Sequence, residues 1–321
     1  MSDITNEKNK KFIITGGCGF IGSTLSNYLL SNKFATEILV IDDLSSGFEN
    51  NLPVSKKIKF INCKIQDFDE TLLDDSFCGI YHLAAQTSVP YSFENFFKSS
   101  SNNLLSTLKV IEIANKISIP VVYASSSAIY GNLPKGSDTN CKTEILSPYA
   151  QDKLTMEDYF RISHEIFNVP SIGLRFFNVY GPKQDPKSPY SGVISVFINN
   201  LINEKPVTVN GGYQTRDFVF VNDVVSVLHL SMQRIKKNEC LAFNVGTGVS
   251  ISVDALLKKL IQITQKKPKI IRKKLPFGDP KESSGTYSKM EDFLNIKTNS
   301  FYDLETGLLE TVKYIKDNFS G

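Results

Sequence analysis

Apolar runs alternating with helical stretches predict an α/β protein: a doubly wound parallel sheet with a second, smaller α/β domain. Three observations carry this. Segments such as Glu37–Asp42 (EILVID) and Pro120–Ser125 (PVVYAS) are nearly continuous apolar runs, as strands buried on both faces require. Gly16, Gly19 and Gly22 punctuate the junction between the first strand and the first helix. After Asn178 the clean alternation loosens into loops, Pro, Lys and short elements.

Taken in order, Lys11–Thr15 reads as a strand, Gly16–Gly22 as a glycine-rich turn and Ser23–Ser31 as a helix. Glu37–Asp42, Lys57–Ile65 and Gly79–Ala85 are strands two to four. Mixed three- and four-residue apolar spacings make a long helix of about Asn95–Ile117. Pro120–Ser125 is strand five, Ser147–Phe167 a helix and Ser171–Phe176 strand six. Gly181–Gly192 is a loop, followed by a helix, a short strand and Arg216–Val221 leading into a further helix. The expected division is 1–175 with about 215–250 as the sheet domain, and about 176–214 and 251–321 as the smaller one.

Composition narrows the function. With 321 residues, 41% hydrophobic and 21% charged, the chain is globular, which excludes disorder and fibrous repeats. Thirty-six basic against thirty-three acidic residues leave +3, no electrostatic footprint for nucleic acid or an anionic membrane. The basic cluster Lys266–Lys274 reads as solvated surface or a local anion contact. No apolar run reaches the roughly eighteen residues of a membrane helix. Met1–Lys11 is polar, without the apolar core of a signal peptide. Cys18, Cys63, Cys78, Cys141 and Cys240 form no Cys-x-x-Cys, and His82, His164 and His229 are scattered, so no metal site is expected. A soluble cytoplasmic protein is the expectation.

Gly16, Gly19 and Gly22 allow a tight turn, close approach to a pyrophosphate and close helix–strand packing, with the helix N-terminus facing the anion. Asp42 closes the next strand, where a carboxylate accepts hydrogen bonds from a ribose and disfavours a 2′-phosphate. No arginine follows in the turn after it, so NAD is favoured over NADP. Tyr149 and Lys153 stack one turn apart on a helix that follows strand five and its Ser125-Ser126-Ser127 run. A phenol with a pKa near 10 is a poor base at neutral pH. A neighbouring ammonium and the positive nicotinamide ring favour phenolate, making Tyr149 a proton acceptor, with a strand-end serine on the same substrate oxygen.

TGGCGFIG, HLAAQTSVP, YASSSAIYG, SPYAQDK, LRFFNVYGP and TRDFVFVNDV, in this order, resemble the extended short-chain dehydrogenases that act on nucleotide sugars. The resemblance covers about residues 11–320 and is closest to the UDP-glucose and UDP-N-acetylglucosamine 4-epimerases. It implies Ser126, Tyr149 and Lys153 as catalytic residues, backbone contacts of Phe20 and Ile21 to the pyrophosphate, and Asp42 on the ribose. It implies Leu83, Ala84, Gln86 and Asn103 lining the cofactor and Phe176 at the nicotinamide. Asn178, Val193, Asn210 and Arg216 match positions that hold the nucleoside diphosphate, with a guanidinium suited to a bidentate phosphate contact. Family members commonly form homodimers.

The chain departs from the family at two places. Cys63-Lys64 stands where Gly-Asp is usual, leaving the Ile65 backbone to meet adenine. Pro276-Phe277-Gly278-Asp279 lacks the arginine of Arg-x-Gly-Asp, keeping Asp279 and leaving Lys273, Lys274 or Lys281 to supply positive charge. Ser126-Ser127-Ala128 has no carboxylate beside the tyrosine, unlike the related dehydratases and decarboxylases, which leaves oxidation and re-reduction at one carbon. In the 4-epimerases the position matched by Ser283 borders the 2-substituent of the sugar; a small residue there admits N-acetyl.

The reading is therefore an NAD-dependent 4-epimerase of a UDP-sugar, UDP-GlcNAc/UDP-GalNAc ahead of UDP-glucose/UDP-galactose or UDP-glucuronate. The competing classes are a net NAD-dependent dehydrogenase or reductase, and a non-catalytic NAD-binding protein. Cys18, His82 and the Phe96-Phe97 pair read as packing residues.

Overall fold

Seven apolar segments become strands because their backbones pair in one sheet while successive side chains go to opposite faces. A computed structural model describes residues 10–140, 142–188, 191–276 and 278–319; Cys141 and Phe277 lie outside them. In chain order the first half contains β1 (Lys11–Thr15), α1 (Phe20–Ser31), β2 (Glu37–Asp42), β3 (Ile58–Asn62), β4 (Phe77–His82), α2 (Val89–Glu94), α3 (Phe96–Lys116), β5 (Val121–Ser126) and α4 (Pro148–Phe167). Then come β6 (Ser171–Phe176), β7 (Asn178–Tyr180), α5 (Val193–Ile202), β8 (Val207–Asn210), β9 (Thr215–Phe220), α6 (Val221–Arg234) and β10 (Cys240–Val245). The chain ends with β11 (Ser250–Ser252), α7 (Val253–Thr264), β12 (Ile270–Lys273), α8 (Ser288–Leu294) and α9 (Leu304–Phe319).

The large sheet has the order β10-β6-β5-β4-β1-β2-β3, all parallel. Alternate residues of each strand feed two apolar layers. Phe12, Ile14, Val40, Tyr81, Val122 and Ile172 pack towards α1 and α6, while Ile13, Leu39, Ile80, Val121 and Tyr123 pack towards α3 and α4. The expected doubly wound fold is thus present. A third core joins Tyr180, Ile198, Phe218, Leu256 and Leu308 around the smaller sheets, β11-β9-β7 and β12-β8. Thr215–Phe220 is hydrogen-bonded into the small sheet; α6 and β10, which follow it, return to the large one.

A short helix, α2, precedes the long one. Ser88 accepts from Tyr91 N at 3.1 Å and Pro90 stands in the first turn, a capping pattern that starts a helix between the fourth strand and the long helix. Sheet topology brings Thr15, Asp42, His82, Ser126, Phe176 and Val245 to the same carboxyl edge, where doubly wound sheets bind ligands.

Among the described residues no helix is long and apolar enough to cross a membrane, and no cluster of His, Cys, Asp and Glu could hold a metal.

His229 lies buried on α6, stacked on Phe34 at 4.1 Å, and burial, helped by Lys10, lowers its pKa from 6.5 to about 4. His82, its Nδ1 2.8 Å from Thr15 Oγ1, is held down to about 3 by burial and then by Lys153. Both folded values lie below the unfolded one, so stability present above pH 6.5 is lost as pH falls towards 4. Asp223, raised by burial to about 6, acts in the opposite sense over the lower part of that window. His229→Phe, which keeps a ring against Phe34, should flatten the acid limb of the stability curve in urea titrations between pH 4 and 7. An unchanged limb would exclude His229 as a contributor.

Candidate active site

The glycine turn is built by contact, not only by flexibility. Gly16 has φ +69°, and a Cβ there would lie 2.6 Å from Ala84 N; a Cβ on Gly22 would lie 2.3 Å from Gly16 O. At Gly19 the nearest atom to a Cβ is Gly16 O at 3.3 Å, so the outer side of the turn is the more open one. Gly19 is also the N-cap of α1, with no side-chain cap and no acid in the first turn, which leaves the amides at Phe20 and Ile21 suited to an anion.

Asp42 stands beside this turn, buried, with Oδ2 accepting from Cys18 N at 2.9 Å and Oδ1 from Leu44 N at 2.8 Å. Burial raises its pKa, and the two backbone N–H groups pull it back. Cys18 is buried and its thiol is pushed up to about 12, first by burial and then by Asp42 and Glu49, so it is an inert filler of the turn. Cys63 N donates to Asp42 O, which sets the buried Ile65 just beyond the same strand end.

The loop after β4 closes over the turn. Thr15 Oγ1 accepts from both Leu83 N and Ala84 N at 3.2 Å. Asn103 is fully buried: Oδ1 accepts from Gln86 N at 2.8 Å, while Nδ2 donates to Gln86 O and to Asp152 Oδ2. Its amide therefore fastens the loop to α3 and α4.

Tyr149 and Lys153 lie on the first turns of α4, whose start is fixed by Ser147 accepting from Ala150 N. Lys153 is 2% exposed, its Nζ donates to Ala124 O at 2.7 Å and lies 5.8 Å from the centre of the Tyr149 ring. Burial brings its pKa down to about 8, against the pull of Asp152 and Glu157. Burial raises the Tyr149 phenol, the Ser126 hydroxyl hydrogen-bonded to it lowers it, and Asp152 raises it again. Ser126 Oγ accepts from Ala128 N at 3.1 Å, and Phe176 is its register partner on β6. Serine, phenol and ammonium thus form one buried cluster at the sheet edge, able to hold and move a proton at a substrate oxygen.

The second lobe contributes Arg216, which is buried, donates to Thr215 O at 2.7 Å and pairs with Asp279. Gly278, next to Asp279, packs near Phe93 of α2 and Leu146 O, which brings this loop over the start of α4. Ser283 N donates to Thr215 O and Asp217 N to Ser283 O, both at 3.1 Å. That ladder makes Ser283 the cross-strand partner of Arg216, with both side chains on one face. Asn178 opens β7, Val193 opens α5 and Asn210 closes β8, exposed.

Fold and site define an NAD-binding oxidoreductase scaffold of the extended short-chain type. Residues 12–246 match the model of the NAD dependent epimerase/dehydratase family, and the chain belongs to that family. A UDP-glucose 4-epimerase of Mycolicibacterium smegmatis is 34% identical over 253 residues, 76% of this chain and 79% of the relative. The structure of a UDP-N-acetylglucosamine 4-epimerase from Methanobrevibacter ruminantium, in complex with UDP-N-acetylmuramic acid, has a TM-score of 0.87 at 31% identity, covering 97% and 100% of the two chains. A UDP-glucuronic acid 4-epimerase from Bacillus cereus, with UDP-glucuronic acid and NAD, has a TM-score of 0.89 at 28% identity, covering 96% and 100%. The protein is an NAD-dependent enzyme. The crowded glycine turn, the open α1 N-terminus and the carboxylate at the end of β2 fit this cofactor.

A cation near a phenol lowers its pKa, as does a hydrogen bond to its charged form. Lys153→Met and Ser126→Ala should therefore each move the acid limb of the kcat/KM profile to higher pH. A limb that stays in place in both variants would remove Tyr149 from the role of base.

Proposed function

We propose that the protein is a 4-epimerase of UDP-sugars whose preferred pair is UDP-GlcNAc and UDP-GalNAc. The observation that carries the substrate preference is Ser283 standing beside Arg216 on one face of a β-ladder. Arg216 is the guanidinium assigned to the diphosphate, so its neighbour borders the sugar, and a serine leaves room where an aromatic ring would exclude an N-acetyl group. The family and the UDP-sugar complexes of its relatives support the reaction type.

In this reading Gly16, Gly19, Phe20, Ile21 and Gly22 hold the pyrophosphate of NAD, Asp42 its adenosine ribose and Ile65 its adenine. Leu83, Ala84, Gln86 and Asn103 line the cofactor, and Phe176 its nicotinamide. Asn178, Val193, Asn210, Arg216 and Asp279 hold the nucleoside diphosphate. Lys281 lies two residues before Ser283, and its carbonyl accepts from Thr215 N. It is one of three lysines, with Lys273 and Lys274, that could make up for the arginine missing at Pro276.

NAD, when bound, supplies the reversible hydride acceptor. Tyr149 phenolate takes the proton of the sugar 4-hydroxyl, Ser126 holds that oxygen and Lys153 keeps the phenol ionised. The 4-keto sugar turns about its bond to the diphosphate and regains the proton from Tyr149 with its other face presented. Firm nucleotide contacts and a roomy sugar pocket serve that rotation.

Proton NMR of UDP-GlcNAc and UDP-glucose incubated separately, without added reductant, should show faster epimer formation from UDP-GlcNAc. Ser283→Tyr should cut UDP-GlcNAc turnover by about a hundredfold and leave glucose turnover largely intact. Conversion of UDP-glucose or UDP-glucuronate alone would refute the pocket reading and keep the reaction, whereas net accumulation of free NADH would favour a dehydrogenase.

The same reading includes a homodimer. Leu105 and Leu108 on α3 and Ile162, Ile166 and Phe167 on α4 are exposed, and these two helices pack side by side. A second copy laying its own α3 and α4 on this face would bury an apolar surface that a lone chain leaves in water. Light scattering should give twice the chain mass, and Ile166→Glu should give the monomer; a wild-type monomer would refute the dimer.

A further inference from the structure

The last three residues of β5 are gripped by α4, one per helical turn. Tyr149 meets the Ser126 hydroxyl, Lys153 donates to the Ala124 carbonyl, and Glu157 Oε1 accepts from Ser125 Oγ at 2.5 Å. Spacing of four residues puts all three on one helix face.

The Glu157 contact continues into the sheet. Arg175 takes both carboxylate oxygens, Nε to Oε1 at 2.9 Å and Nη2 to Oε2 at 2.7 Å, with the two side chains only 6% and 10% exposed. Arg175 is the register partner of Ser125 on one side and of Asn244 on the other. The Tyr130 hydroxyl accepts from Arg175 Nη1 at 3.0 Å and donates to Asn244 Oδ1 at 2.7 Å. Asn244 Nδ2 then donates to the carbonyls of Gly136 at 3.2 Å and Thr286 at 2.9 Å. Gly136 and Gly285 form a bridge two residues beyond Ser283.

A buried ion pair is often no more stabilising than apolar side chains of the same volume, so stability alone does not explain this one. Its geometry does something a greasy contact cannot: bidentate bonds fix direction as well as distance. We propose that Glu157 and Arg175 are positioning residues of the reaction. With Tyr130 and Asn244 they form a buried polar row that holds the Ser126 strand end and the Tyr149 helix at a set distance from the pocket wall at Gly136 and Thr286. The proposal rests on the reading of Tyr149 and Ser126 as the reacting pair and Ser283 as part of that wall. Neither Glu157 nor Arg175 touches the sugar. Their effect passes through Ser125 and through the strand register. A sugar that must meet the same base with either face tolerates little change in that distance, since misplacement by about 1 Å can cost about a hundredfold in rate.

The test uses the full-length protein with its NAD. The double variant Glu157→Gln/Arg175→Met removes the pair without stranding a charge, and Tyr130→Phe removes one hydroxyl from the row, which keeps the test available if the double variant does not fold. Expected in each are NAD content near the parent, KM for UDP-GlcNAc within about twofold and kcat lower by about ten- to a hundredfold. Fluorescence of reduced nicotinamide should also build up during turnover, because the displaced keto sugar fails to complete its return. Arg175→Lys, which keeps the charge and loses the planar fork, should not restore the parent kcat. Parental kcat in these variants, or a kcat loss that only tracks lost NAD or a lower Tm, would overturn the proposal. Ser126→Ala in the same assay separates the two levels. Full activity there would sink the reading of the site itself, whereas an impaired Ser126→Ala beside unaffected row variants would sink only the row.

Discussion

The Lys153 ammonium is buried at the carboxyl edge of the large sheet and donates to the Ala124 carbonyl at 2.7 Å. A cation in that position is costly unless it is hydrogen-bonded and has negative charge in reach. The site meets both needs: the carbonyl accepts a hydrogen bond from the ammonium, and Asp152 and Glu157 favour the charged form. The same requirement dictates how α4 docks. Only with its first turns against the end of β5 does the lysine reach its carbonyl, and that docking delivers Tyr149 to Ser126. Burial leaves the lysine near a pKa of 8, so its charge depends on its surroundings, in contrast to a surface lysine.

Much of this was legible in the sequence because it rests on local rules. EILVID and SIGLRF became strands with the bounds expected, since short segments rich in branched and aromatic apolar residues suit a sheet covered on both faces. The glycine turn was legible because steric crowding at Gly16 and Gly22 demands that residue type. Tyr149, Lys153 and Ser126 could be grouped because one helix and one strand end carry them. The helix at Val89–Glu94 left a signal that went unread, a serine cap two residues before a proline.

Other parts were illegible for a physical reason. The row through Glu157, Arg175, Tyr130 and Asn244 is set by the lateral register of β5, β6 and β10, and no spacing along the chain encodes which residues of three strands stand side by side. The partners of strand β9 were illegible for the same reason: its apolar pattern shows that it is a strand and says nothing about which strands it pairs with. The Arg216–Asp279 ion pair joins residues far apart in sequence, and no local spacing encodes that they meet.

The ladder that sets Ser283 beside Arg216 has a further consequence, in time rather than in space. Six of the seven strands of the large sheet, and every residue assigned to the cofactor, are made before residue 177. Arg216 follows, but the segment hydrogen-bonded beside it arrives with Lys281–Ser283, near the end of synthesis. Chains fold from the N-terminus as they are made, and contacts between distant segments close late. On the proposed assignments, a nascent chain therefore has the residues for its nucleotide cofactor well before those for its sugar pocket. Bound cofactor stabilises whatever form binds it, so the half-made protein gains an early support from the molecule that the finished one will use.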